Sequence, residues 1–121
     1  MSGEGKYYSR IRVYVEGYHY WPEAPADVWF LRNKHRHFFI IDVYVESGPN
    51  RNVEFFTFSN IVRQIINKGY EANPDGSIDF GESSCETIAR YIYEKLSDMG
   101  FKVKRAEVSE DGFNAGGYGY V

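Results

Sequence analysis

The chain has a single cysteine, Cys85, so no intrachain disulfide can form, and a lone thiol fits a reducing compartment. No apolar run approaches the roughly 18 residues of a membrane-crossing helix. The opening from Met1 to Lys6 also has no apolar signal core, so the expectation is a cytoplasmic protein with no membrane contact. Positive charge is not in excess: 14 Lys and Arg stand against 17 Asp and Glu, a net charge of −3, with a pI near 5.6. The basic residues are dispersed, which disfavours a phosphate-neutralising surface and makes nucleic acid an unlikely partner. No internal repeat or low-complexity segment is visible, and the Gly/Pro-rich pieces are short connections.

At 121 residues and 43% apolar content the chain suits one domain, with residues 1–8 as a flexible N-terminus. Aromatic residues are abundant, 11 Tyr, 9 Phe and 2 Trp, and rings in that number suit a core, a subunit interface or a pocket for a flat ligand. From Ser9 to His19 the residues Ile11, Val13, Val15 and His19 alternate with polar ones, the pattern of a half-buried strand. From His35 to Glu46 the same alternation places His35, His37, Phe39, Ile41, Val43 and Val45 on one face.

Between these strands Trp21 to Asp27 holds two prolines and reads as an irregular excursion, with Val28 to Leu31 packing back on the body. Val53 to Phe56 reads as extended. Phe58, Ile61, Val62, Ile65 and Ile66 then form a helical stripe, capped by Thr57 or Ser59 and closed by Gly69. Residues 70–81 read as a loop. Ser83 and Glu86 have capping-box spacing at the start of a second helix, whose stripe is Ile88, Ile92, Leu96 and Met99 and whose stop is Gly100. Two more strands follow, Phe101 to Ser109 and Phe113 to Val121. The order ββααββ predicts an α+β two-layer sandwich, an antiparallel four-stranded sheet with two helices on one face. Its two open edges favour oligomerisation.

The three histidines carry the chemistry. His35 and His37 project from one strand face roughly 6.6 Å apart, close enough to share one ion. His19, on the apolar face of the preceding strand, would be a third ligand, the number a catalytic zinc takes while keeping one open position.

A strand that ends in Glu16, Gly17, Tyr18 and His19, followed after a loop by His35, Arg36 and His37 opening the next strand, resembles the 6-pyruvoyl-tetrahydropterin synthase and 6-carboxytetrahydropterin synthase family. Ser83, Ser84, Cys85 and Glu86 resemble its Pro-Thr-Ser-Glu helix start, and Val108, Ser109 and Glu110 resemble the Val-x-Glu that anchors the pterin. The resemblance spans about residues 9–118. It implies the tunnelling fold, Zn2+ held by His19, His35 and His37, and homohexamers built from trimers as barrels with sites between subunits. The stretches Val15 to Pro22 and Phe30 to His37 are further similar to short bacteriophage-encoded proteins, which would place the chain in the host cytoplasm.

The departures are specific. Leu31 stands where the family has its cysteine, four residues ahead of His35, and the segment from Asn67 to Ser83 contains Asp75 and Asp79 but no histidine. The usual acid/base set is therefore missing. Candidate replacements are Asp27, Asp75 and Asp79, with Glu23 beside them, and Cys85 as a nucleophile at a helix N-terminus. Glu110, Glu86, Ser84 and Cys85 are the candidate ligand-binding residues, Glu110 accepting the paired N–H donors of a pterin or guanine edge. Arg32, Lys34 and Arg36 are candidates for meeting a substrate triphosphate.

Two functions fit. One is a zinc-dependent lyase or synthase acting on a dihydropterin triphosphate or related heterocycle. The other is a non-catalytic protein binding a pterin or purine nucleotide, including a host nucleotide signal sequestered by a phage.

Overall fold

The computed structural model describes residues 5–121. Two long strands open the fold, β1 at Tyr8–His19 and β2 at His35–Glu46, joined through a kinked 3-10 helix at Ala26–Arg32. Helix α1 spans Phe55–Gly69, and two short strands follow, β3 at Glu71–Ala72 and β4 at Ile78–Asp79. Helix α2 spans Cys85–Asp98, and the chain ends in β5 at Val103–Glu110 and β6 at Asn114–Gly119.

The α+β two-layer expectation holds, but the sheet has six strands in the order β3-β4-β1-β2-β5-β6. The four long strands are antiparallel neighbours. The difference lies in the segment expected to be a loop: Asn73 to Gly76 forms a turn, and the β3–β4 hairpin it closes adds β4 parallel to β1 through Gly17 and Tyr18. The sheet is therefore mixed.

Alternation decides which face is core. Ile11 and Val13 of β1, Phe39, Ile41, Val43 and Val45 of β2, and Val103, Ala106 and Val108 of β5 are buried together. Against them lie Phe58, Val62, Ile65 and Ile66 of α1, and Ile88, Ala89, Ile92 and Leu96 of α2. On the other face Asp42 is buried, and Arg12, its register partner, binds it through Nε at 2.8 Å and Nη2 at 3.0 Å. A forked guanidinium matched to one carboxylate adds geometric specificity to the β1–β2 pairing.

Several boundaries move from their expected places for local reasons. Glu54, not Thr57 or Ser59, caps α1, its carboxylate accepting the Thr57 N–H at 2.6 Å. Phe55 and Phe56 are thus helical rather than extended, with their rings in solvent, so the apolar stripe starts later than the helix. Ser84 rather than Ser83 caps α2 and accepts the Thr87 N–H at 3.1 Å. The capping-box pairing of Ser83 with Glu86 therefore does not form. Met99 is the C-cap and is 55% exposed, outside the expected stripe. Val28 and Leu31 lie half-buried on the body, the Leu31 carbonyl accepting the Trp21 N–H at 2.8 Å, but no residue of the 3-10 helix is fully buried, and Trp29 and Phe30 are 60% and 56% exposed. Of the N-terminal segment 1–8, residues 1–4 lie outside the described residues; the Tyr7 carbonyl accepts the Ser47 N–H at 3.0 Å, and Tyr8 opens β1.

Gly17 has a packing role at the end of β1. A Cβ on it would lie 2.7 Å from Phe80 Cε2 and 3.0 Å from the Ile78 carbonyl oxygen. The Phe80 ring rests there and packs edge-on against Phe39 at 4.9 Å between centroids. Gly17→Ala is expected to lower unfolding free energy by about 1–3 kcal/mol, as overpacked cores do, read as a lower urea midpoint at unchanged m-value.

Candidate metal centre

Strand register assembles the site. His19 pairs directly with His35 across β1 and β2, and Gly17 pairs with His37. Because side chains alternate, His35 and His37 share the face that carries Phe39. Phe39 in turn pairs with Glu110 of β5, which brings that carboxylate to the same face. One ligand atom from each of His19, His35, His37 and Glu110 lies within 4.8 Å of all the others. Four donors in that space can hold a metal ion.

The hydrogen bonds of the imidazoles orient them toward a common point. Nδ1 of His19 lies 3.0 Å from the Ser83 carbonyl oxygen, Nδ1 of His35 lies 2.9 Å from that of Asn33, and Nδ1 of His37 lies 2.7 Å from Asp111 Oδ2. Each partner only accepts, so each Nδ1 carries a proton and donates, and in the neutral imidazole this leaves Nε2 as a bare lone pair. The Nε2 atoms of His19 and His37 are buried with no hydrogen-bond partner. Glu110 Oε2 stands 2.8 Å from His19 Nε2 and 3.4 Å from His37 Nε2. With those tautomers, lone pair faces lone pair, and the contacts become favourable when a cation sits between them. Ligand atoms about 2.1 Å from a tetrahedral zinc are about 3.4 Å from one another, so donors that now lie within 4.8 Å of one another would draw together around an ion.

Burial pushes the His19 pKa below its ordinary value, the carbonyl of Ser83 and the charge of Glu110 opposing the shift and His35 and His37 adding to it. A neutral imidazole is the form that binds metal. Behind the cluster the Phe39 ring packs edge-on against His19 at 5.1 Å and His37 at 5.6 Å, limiting how far either imidazole can turn.

Asp111 completes the outer shell, and sequence reasoning missed it. Its φ of 57° is left-handed, a conformation that Asp adopts more readily than most residues in a tight turn. There Asp111 N–H donates to the Phe38 carbonyl at 2.9 Å, while Oδ1 accepts the Phe38 N–H at 2.8 Å. Those bonds leave Oδ2 for His37. The Phe38 N–H first, then His37, hold the Asp111 carboxyl below the usual range. The signal available in the sequence was the Asp111-Gly112 turn immediately after Glu110.

A cleft of about 520 Å³ opens beside the histidines, and Ser84, Cys85, Glu86 and Glu110 all line it. Glu86 is free of any capping duty and reaches over Gly116, where a Cβ would lie 2.5 Å from its Oε1. Cys85 is buried, and its thiol is pushed up to about 12 by burial first, then by the charges of Glu110 and Glu86. It is held as a thiol at neutral pH, which disfavours the nucleophilic thiolate. Leu31 also lines the cleft.

The other acids are placed elsewhere. Asp75 accepts from Ser77 N–H at 2.9 Å and Ser77 Oγ at 2.6 Å. Asp79 binds Lys34 at 2.8 Å and the Gly81 N–H at 2.9 Å, while Asp27 sits exposed on the 3-10 helix. None of the three lines the cleft, nor does Glu23.

Asp111→Asn keeps the size and the turn but loses one of the two acceptors that His37 and Phe38 share. It is expected to weaken metal binding by about 10–100-fold, as loss of an outer-shell partner does, in a Zn2+ titration against a chromophoric chelator; unchanged affinity would show that Asp111 does not orient His37.

No protein-family model matches the chain, and no curated protein does. Among solved structures it is similar to an uncharacterized protein, WS1659, from Wolinella succinogenes, with 14% identity, 95% of this chain and 98% of that chain covered, and a TM-score of 0.68. At that identity the likeness establishes the fold alone.

Proposed function

We propose that the protein is a zinc-dependent member of the 6-pyruvoyl/6-carboxytetrahydropterin synthase type, with the tunnelling fold, that acts on a pterin-like heterocycle. The observation that carries the reading is the convergence of one ligand atom each from His19, His35, His37 and Glu110 beside a cleft. Zinc held by His19, His35 and His37 would supply Lewis-acid polarisation of a substrate oxygen. Glu110 has two oxygens: Oε2 faces the histidines, which leaves Oε1 to accept an N–H from the ring edge. Trp21 and Tyr20 give the cleft aromatic walls suited to a flat ligand. Glu82 and Glu86 are the cleft carboxylates in position to carry a proton. Assembly of copies into a homohexameric barrel would cover the open strand edges, including that of β6.

A second reading, binding without turnover, is favoured by two residues. Leu31 lines the cleft where the related enzymes carry a thiol, and Cys85 is held protonated. A protein of that kind would retain a pterin or purine ligand and release it unchanged.

Elemental analysis of protein purified without chelator is expected to find about one zinc per chain, lost in His37→Ala. Calorimetry of the zinc-loaded chain with 7,8-dihydroneopterin should detect binding that weakens at least about tenfold in Glu110→Ala, as loss of a charged hydrogen bond implies. Absence of zinc in a folded protein would overturn the metal assignment, and absence of heterocycle binding would overturn the ligand assignment. Mass spectrometry of the recovered ligand separates turnover from retention.

A further inference from the structure

A second cavity, of about 660 Å³, lies at the end of the sheet away from the histidines. β1 opens there at Tyr8 and reaches His19 only at the end of its 12 residues, so about 35 Å of strand separates the two places. Segments far apart in the chain meet at this end, and backbone hydrogen bonds pin them. The Tyr7 carbonyl accepts the Ser47 N–H at 3.0 Å, the Lys102 carbonyl accepts the Glu46 N–H at 2.9 Å, and the Lys104 carbonyl accepts the Tyr120 N–H at 2.8 Å. The sheet itself therefore sets the walls.

Those walls are basic and aromatic: Lys6, Lys102 and Lys104 stand beside Tyr7, Tyr8 and Tyr120, with Glu46 as the one acid. Lys6 and Lys102 come from opposite ends of the chain, so only strand pairing gathers the charge. Among the described residues no carboxylate lies within ion-pair distance of these three ammonium groups, whereas Arg12, Lys34, Arg36, Arg90 and Arg105 each have one. Lys104 rests instead over the Tyr8 ring, Nζ 5.7 Å from its centroid. A cation–π contact steadies the ammonium and leaves its N–H donors unspent. Tyr7, Tyr8 and Tyr120 are 61%, 62% and 68% exposed, so their ring faces are open to stacking. The volume falls within the range of about 300–1,000 Å³ usual for small-molecule sites. Ammonium groups meet phosphate oxygens as point charges, and the rings offer a surface to a flat base.

We propose that this cavity is a second ligand site, separate from the metal centre, for an anion that carries a flat ring, of the nucleoside polyphosphate class. Lys6, Lys102 and Lys104 meet the phosphates, and Tyr7, Tyr8 and Tyr120 hold the ring. None of these residues lines the metal cleft, so the site stands whether or not the heterocycle reading does.

The test is calorimetric titration of the full chain, as the oligomer it forms, with ATP and with inorganic tripolyphosphate. ATP should bind about tenfold more tightly, because only ATP has a base to stack. Lys102→Ala with Lys104→Ala, both at exposed positions, should weaken ATP binding at least about tenfold, as loss of two charged hydrogen-bond donors implies. Zinc content and thermal midpoint should be unchanged in that variant. Tyr120→Leu should weaken ATP and leave tripolyphosphate as it was. ATP binding should persist in His37→Ala, which alters only the metal centre. ATP binding that withstands the lysine substitutions, or that is lost in a folded His37→Ala, overturns the proposal. So does the absence of ATP binding, or a tripolyphosphate affinity equal to that of ATP.

Discussion

The pairing register of β1 with β2 is the constraint on which the rest of the molecule depends. Side chains alternate across a sheet, so a slip of one residue would turn every inward group outward. Two independent features hold the register: the apolar residues that must meet α1 and α2, and the Arg12–Asp42 fork on the opposite face. Once it is set, His19 stands opposite His35, with His37 two residues further along the same face. The neighbouring β2–β5 register then delivers Glu110. The cluster is a consequence of strand pairing and needs no special loop to form it.

Aiming the imidazoles is a separate matter. Each ring is fixed by an acceptor drawn from a different part of the chain: Ser83 just ahead of α2, Asn33 at the end of the 3-10 helix, and Asp111 in the turn between β5 and β6. Phe39 packs behind His19 and His37, Phe80 packs on Phe39, and Phe80 has room because residue 17 has no side chain. Backbone carbonyls, a clamped carboxylate and an aromatic platform together make the lone pairs converge. Such preorganisation removes much of the reorganisation that ion binding would otherwise require.

Charge is sorted by the faces of the sheet. Four cations are paired on the outer face or at its rim: Arg12 with Asp42, Arg36 with Glu16, Lys34 with Asp79, and Arg105 with Glu107. The helix-covered face ends in a cleft with carboxylates and aromatic walls. Opposite chemistries are thus separated by the thickness of one sheet, and the cleft keeps a single electrostatic sign apart from any ion that the histidines hold.

By itself the sequence determined the two long strands, the core faces of both helices and the three-histidine constellation, because periods of 2 and 3.6 residues and the spacing within His35, Arg36 and His37 are local quantities. It did not reveal the β3–β4 addition, since two-residue strands have no period to read, nor the start of α2, where Ser83 and Ser84 are both cap residues by type and the folded chain uses Ser84. Tertiary structure alone decided that Glu110 reaches the histidines, that Asp111 orients His37, and that Arg32, Lys34 and Arg36 are bound elsewhere. Those are distances between residues far apart in the chain or on opposite faces of a strand, and no local pattern encodes them. The histidines that could hold a metal ion are written in its sequence, while their orientation and the charge of the cleft beside them exist only after folding.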